Sequence, residues 1–149
     1  MFFNTDFLRN DEIFLDLQET REGDPAKQLV DSYSFRICLS SNNTEVGGCS
    51  FRVGNTQSSF FRGNIGYGVD EAHRGNYYSG KACLLLFDLA RKHGMNYLYI
   101  TCNPDNIASR KNCEYAGGVL IAVVDLPTDT DMYEKGERCK CVYRYDLVT

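Results

Sequence analysis

The chain lacks a basic surplus: sixteen lysines and arginines face twenty acidic residues, leaving a formal net charge of −4 over 149 residues. Phosphate backbones demand a basic face, so nucleic acid is excluded as the main partner, and a cationic or amine-bearing one suits the balance better. No apolar run approaches the ~18 residues that a membrane-crossing helix needs, so no membrane partner is expected. Histidine is nearly missing too. His73 and His93 supply no ligand spacing to Cys139-Lys140-Cys141, the one close cysteine pair, and no metal site is expected. The seven cysteines are odd in number and mostly sit in apolar runs, and Met1 to Asp6 carries no basic-then-apolar leader. Free thiols in a cytoplasmic protein are the expectation. What is present is a 43% hydrophobic fraction with 13% aromatics, enough for a packed core in one domain over residues 1–149.

No repeat or linker divides the chain. Apolar content marks a first strand over Glu12–Gln18, closed by the turn-forming Arg21-Glu22-Gly23-Asp24-Pro25. Tyr33–Leu39 alternates as a half-buried strand does, Ser40–Asn43 turns, and Glu45–Val53 returns as its hairpin partner. Asn64–Val69 is a fourth strand, with Gly66 and Gly68 inside it, where glycine permits close approach of another backbone or a ligand. Ser79–His93 carries Ala82, Leu85, Leu86, Leu89 and Ala90 on one helical face, and Gly94 stops it. Tyr97–Cys102 is a strand, Asp105–Ala116 a helix, and Val119–Asp125 and Cys139–Leu147 are the last two strands. This order predicts an α+β fold with helices packed on a mixed sheet.

Chemistry concentrates between Val69 and Ala82, where a strand runs through a loop of small residues into the long helix. First-turn N–H groups and the helix dipole favour an anion there, and small residues let a phosphate reach them. Gly75-Asn76-Tyr77-Tyr78-Ser79-Gly80-Lys81 fits seven positions of a P-loop. Ala82, however, stands where a magnesium-holding Ser or Thr is required, and five residues separate the strand from the first glycine.

Arg74-Gly75-Asn76-Tyr77-Tyr78-Ser79-Gly80 resembles the coenzyme A loop of the GNAT superfamily of N-acetyltransferases, written Arg/Gln-x-x-Gly-x-Gly/Ala, with Tyr77 at the first glycine position and Ser79 at the Gly/Ala position. Ile65 to Glu71 looks like the family's fourth strand, which pairs with the pantetheine arm as an added strand. Thr101 to Arg110 resembles its fifth strand and next helix start, and Glu114-Tyr115-Ala116-Gly117-Gly118 that helix's end. The resemblance covers Gly63–Gly118. It implies a mostly antiparallel, mixed central sheet of about seven strands flanked by helices, and acetyl-CoA as cosubstrate. It places the cofactor on Tyr67, Gly68 and Val69 of the strand, on Arg74 to Gly80 of the loop, and on Asn106 and Ser109 of the second helix.

The activity implied is direct attack of a primary amine on the acetyl thioester, with the backbone N–H nearest Val69 stabilising the oxyanion. Family members often place a tyrosine seven positions after Asn106 as the general acid; here that position is Cys113. Tyr115 lies about 200° further round the helix. Glu71 is the nearest carboxylate to the strand, with Asn64 standing where some relatives keep a base, and Tyr133, Tyr143 and Tyr145 are further donors. The family's two helices between the first and second strands are largely missing, since only Arg21–Ser32 is available. The acceptor side should therefore be open, or walled by a second chain in a homodimer or by the acidic loop Asp125–Glu137, which would suit a cationic acceptor. A domain that binds acetyl-CoA as a sensor or scaffold without turnover is the competing expectation, because fold does not fix function.

Overall fold

The computed structural model describes residues 1–148. Seven strands, β1 (Ile13–Arg21), β2 (Ser32–Leu39), β3 (Glu45–Arg52), β4 (Ile65–Val69), β5 (Tyr97–Cys102), β6 (Val119–Asp125) and β7 (Cys139–Asp146), alternate with helices α1 (Ser59–Arg62), α2 (Tyr78–Lys92), α3 (Ile107–Tyr115) and α4 (Asp131–Glu134). The seven expected strands are all present. They form two antiparallel sheets rather than one, β1-β2-β3-β4 and β5-β7-β6. Two short helices, α1 and α4, sit in stretches that are too brief for periodicity to reveal. Between β1 and β2 only a single 3-10 turn, Pro25–Lys27, stands where the family would place helices.

The division between the sheets falls beside β4, and Asn64 ties the two together at its base. This fully buried residue donates its backbone N–H to Tyr99 O (2.7 Å) and accepts from Tyr99 N–H on Oδ1 (2.9 Å). Its amide Nδ2 is spent on Arg52 O and Gly54 O. Beyond that junction β4 and β5 share no ladder, so β4 keeps an unpaired edge toward β5. The side-chain amide at Asn64 is thus a structural clamp, with its polar atoms satisfied as burial requires.

Helix α2 buries the stripe expected of it, with Ala82, Leu86, Leu89 and Ala90 all at zero exposure. They pack on Ile13, Leu15, Phe35, Ile37, Val46 and Phe51 from the first sheet and on Leu98, Ile100 and Tyr143 from the second. The seven cysteines are free, six of them buried. Among the described residues no helix is long and apolar enough to cross a membrane, and no cluster of side chains could hold a metal ion.

Candidate active site

The site begins with the parity of β4. Arg52 N–H donates to Asn64 O and Asp70 N–H to Val46 O, so the even-numbered residues of β4 face β3. The N–H groups of Tyr67 and Val69 therefore point to the open edge. Gly47 allows this strand to lie so close, since a Cβ there would collide with the Gly68 carbonyl oxygen.

Past β4 a 3-10 turn (Glu71–His73) leads into the loop, and α2 starts at Tyr78. Among the described residues, the N–H groups of Gly75, Asn76, Tyr77, Tyr78 and Ser79 meet no acceptor in the protein. Five consecutive free donors at the positive end of a fifteen-residue helix make an anion cradle. The cradle stops at Gly80, whose N–H donates to Asn112 Oδ1 of α3 (2.9 Å). Gly80 is buried, and a Cβ on it would come within 2.7 Å of Tyr115 Cδ1. It is the close-contact point of α2 with α3.

Tyr77 stands where the loop pattern has glycine and adopts the glycine conformation, φ +58° and ψ +30°. That costs about 1–2 kcal/mol for an L-residue. Its ring stacks on Tyr115 with centroids 4.7 Å apart and planes within 10°, an arrangement worth about 0.5–1.5 kcal/mol. The stack offsets much of the strain.

The loop and α3 enclose a cleft of about 430 Å³ that runs along β4. Tyr67, Gly68, Val69, Arg74, Gly75, Tyr77, Tyr78, Ser79, Asn106 and Ser109 line it, ten of the twelve residues expected to hold the cofactor. Asn76 is exposed and turns its amide back to His73 O (3.1 Å), and Gly80 lies behind the cleft. Asn106 caps α3, accepting Ser109 N–H on Oδ1 (3.1 Å). His73, Ala108 and Asn112 also line the cleft. Sequence spacing gave no sign of His73, whereas Ala108 and Asn112 are four residues apart and Asn112 follows Ser109 by three, spacings that set them side by side on the helix.

Neither expected catalytic side chain reaches this lining. Cys113 is fully buried behind Tyr67, whose hydroxyl lies 3.3 Å from its Sγ and 2.8 Å from Ser109 Oγ. A cysteine side chain is too short to extend past a tyrosine that crosses the gap from β4. In this cluster Cys113 is drawn down from its ordinary pKa, first by the adjoining Cys102 thiol, while burial pushes the Tyr67 phenol far up. Glu71 is exposed on the 3-10 turn, outside the cleft. The other tyrosines are engaged elsewhere: Tyr145 OH donates to Cys113 O (2.7 Å), Tyr143 OH accepts from Arg110 Nε (3.1 Å), and Tyr133 lies under Arg138.

A second, larger concavity of about 1040 Å³ opens on the sheet face opposite α2. Register builds its floor in two rows, Glu19–Ser34–Ser50 and Arg21–Ser32–Arg52, with Gly66 continuing the first row into β4 beyond the lining. Arg52 ties the floor to the α1 loop through Gly63 O and Arg62 O (3.0 Å each). The far wall is the β6–β7 loop, fixed by the Arg62–Asp131 ion pair (3.2 Å). Two of its five carboxylates are paired, Asp131 with Arg62 and Glu137 with Lys140 (2.7 Å), which holds the Glu137 carboxyl below its ordinary pKa. The groove lining carries Arg21, Lys27, Arg52 and Arg62 against Glu19, Glu22 and Asp131, so its charge is balanced rather than acidic. The expectation of a cationic acceptor finds no support in it.

A strand edge left open lies beside a helix-start anion cradle, an arrangement that can take a phosphorylated, extended ligand arm. The family model described as acetyltransferase (GNAT) domain matches residues 9–119. The chain belongs to that family. Solved structures with the same fold include an acetyltransferase from Agrobacterium tumefaciens, 25% identical, covering 76% of this chain and 60% of that one at a TM-score of 0.55. The ribosomal-protein-S5-alanine acetyltransferase of Vibrio fischeri is 15% identical over 78% of this chain and 62% of its own, with a TM-score of 0.61. The microcin C7 self-immunity acetyltransferase MccE, solved with acetyl-CoA and AMP, is 17% identical over 77% and 61%, also at 0.61. The chain thus spans about three fifths of the length of these three proteins. No curated protein sequence matches it.

Proposed function

We propose that the chain is an acetyl-CoA-dependent N-acetyltransferase that moves the acetyl group to a primary amine by direct attack. The observation that carries this is the run of five unpaired N–H groups at Gly75–Ser79 beside the open edge of β4. The pyrophosphate of the cosubstrate lies on those groups with Arg74 at their start, and the pantetheine arm adds to β4 as a strand. Its 430 Å³ cleft suits a slender arm, and no metal is needed to hold it.

The reaction follows from what the cleft presents. A neutral amine attacks the thioester carbon, and the N–H of Val69, free on the open edge, bonds the oxygen as it becomes an oxyanion. Positioning both reactants supplies much of the rate. Burial holds the Tyr67 phenol protonated, with its proton directed at Ser109 O (3.0 Å), so Tyr67 neither titrates as acid nor serves as base. The proton lost by the attacking amine passes to the departing thiolate as the C–S bond breaks, with Ser109 Oγ beside it at the α3 wall. The acceptor approaches from the opposite face of the sheet, along Glu19–Ser34–Ser50–Gly66, where small side chains lead to the junction of β4 and β5. With six of seven thiols buried and free, the cytoplasm is the proposed compartment.

Calorimetric titration with acetyl-CoA in EDTA tests the binding half, and thiol release across a panel of primary amines and peptide N-termini tests the transfer. Tight binding with no amine-dependent thiol release would make the chain a sensor. Failure to bind would remove the reading altogether.

A further inference from the structure

We infer that Tyr77 is a positioning residue for the adenine ring of the cosubstrate, with Tyr115 as its backing. The inference rests on the acetyl-CoA reading above and deepens it at one point. Tyr77 lines the cofactor cleft, and the five free N–H groups of the cradle run on either side of it. Its ring is stacked on one face by Tyr115, and the residue as a whole is 42% exposed, which leaves the ring's other face toward solvent. Tyr115 is in turn seated over Gly80, the one residue of the α2 first turn without a side chain, and any Cβ there would displace its ring. The three residues form a layered stand whose base is the α2–α3 contact and whose top is a flat aromatic surface.

A phosphorylated ligand anchored at Gly75–Ser79 must continue past this surface, because the pantetheine arm occupies the side toward β4. The portion left outside is the nucleotide. A purine stacks on an exposed tyrosine face regardless of its hydrogen-bonding edge. Glycine at position 77 would relieve the left-handed conformation of that residue and leave the cradle N–H groups in place, so the ring is what the site gains from tyrosine here. The ligand class assigned to the surface is a purine nucleotide carrying phosphate, as at the adenosine end of coenzyme A.

The test compares Tyr77→Gly with the unaltered chain using three probes: coenzyme A, adenosine 3′,5′-bisphosphate and 4′-phosphopantetheine. Tyr77→Gly should weaken coenzyme A about tenfold and the bisphosphate by a similar factor, as loss of one base stack does. Affinity for 4′-phosphopantetheine should stay within twofold. Tyr77→Phe should keep wild-type affinity for all three, and Tyr115→Ala should lose part of the coenzyme A affinity by freeing the Tyr77 ring. Equal weakening toward coenzyme A and 4′-phosphopantetheine, or no weakening toward either, would overturn the assignment. An unaltered chain that binds none of the probes would overturn the cofactor reading itself, which separates the two failures.

Discussion

The two faces of the β1–β4 sheet are built from the same strands and come out opposite. One face carries Ile13, Leu15, Phe35, Ile37, Val46 and Phe51 under α2 and excludes water. The other carries Glu19, Arg21, Ser32, Ser34, Ser50 and Arg52 with no helix laid across them, because the β1–β2 connection is a single 3-10 turn. On the closed face each side chain is fixed by what it touches. On the open face the side chains are free to be chosen for a ligand. Strand alternation makes the division possible, and a bulge at Gln18, where the register shifts between Leu17 and Glu19, places Glu19 and Arg21 on the open side.

The sharpest way to break this comparison is at adjacent glycines of β3. Gly47 faces the Gly68 backbone with no room for a Cβ, whereas a Cβ at Gly48 meets only Phe35 O at 3.4 Å. Gly47→Val should cost roughly 2–3 kcal/mol in urea unfolding, as overpacking against backbone does. Gly48→Ala should stay within about 1 kcal/mol. Equal costs would mean that β4 is not held where its open edge requires. Next in size, Ser50→Trp fills the floor of the open groove. Amine-dependent thiol release should fall at least about tenfold, near 1.4 kcal/mol, while acetyl-CoA affinity is unchanged. Loss of cofactor affinity instead would show that the two faces are not separate sites.

How much of this was legible depended on whether a residue's role is local. The α2 stripe, the β2–β3 hairpin and the strand order follow from periodicity and turn residues, and all of them appear. The join between the two sheets runs through Asn64, whose polarity reads as that of an ordinary strand-end residue until the three hydrogen bonds of its side chain are known. The cleft was legible where a backbone requirement leaves a mark, as at Gly68, Gly75 and the Asn106 cap. It was less so at Gly80, where glycine looks like a phosphate contact but serves a helix–helix approach set by Tyr115 and Asn112, distant in sequence. The balanced charge of the groove could not be read from the acidic Asp125–Glu137 loop, since Arg21, Lys27, Arg52 and Arg62, which offset it there, are brought together by the fold.

Cys113 tests whether the closed side also does chemistry. It lies at the position of the family's usual tyrosine acid but is sealed behind Tyr67. Cys113→Ala should cost about 1 kcal/mol for a small cavity and leave turnover within a few-fold. A hundredfold loss of turnover at unchanged thermal stability would make the thiol the acid and overturn its exclusion from the cleft.

The smallest effect expected is a pH dependence confined to the closed face. His93, at the end of α2, packs among Phe3, Tyr33 and Phe51, and burial draws its pKa below the ordinary value. Tyr33 OH accepts from Phe3 N–H (2.9 Å) and shares a 2.7 Å hydrogen bond with His93 Nε2, in which the donor is set by the ring's tautomer. A histidine with a depressed folded pKa binds fewer protons folded than unfolded. Its contribution is therefore complete above the unfolded value near 6.5 and is lost as pH falls toward the folded value. The melting temperature should drop by roughly 2–4 °C between pH 7 and pH 5 from this group. In His93→Gln that increment should vanish, leaving only the carboxylate losses at lower pH, of which Glu137 beside Lys140 is one. An unchanged acid limb in the variant would mean that the aromatic cluster accommodates the charged ring, and that the closed face is wetter than its packing indicates.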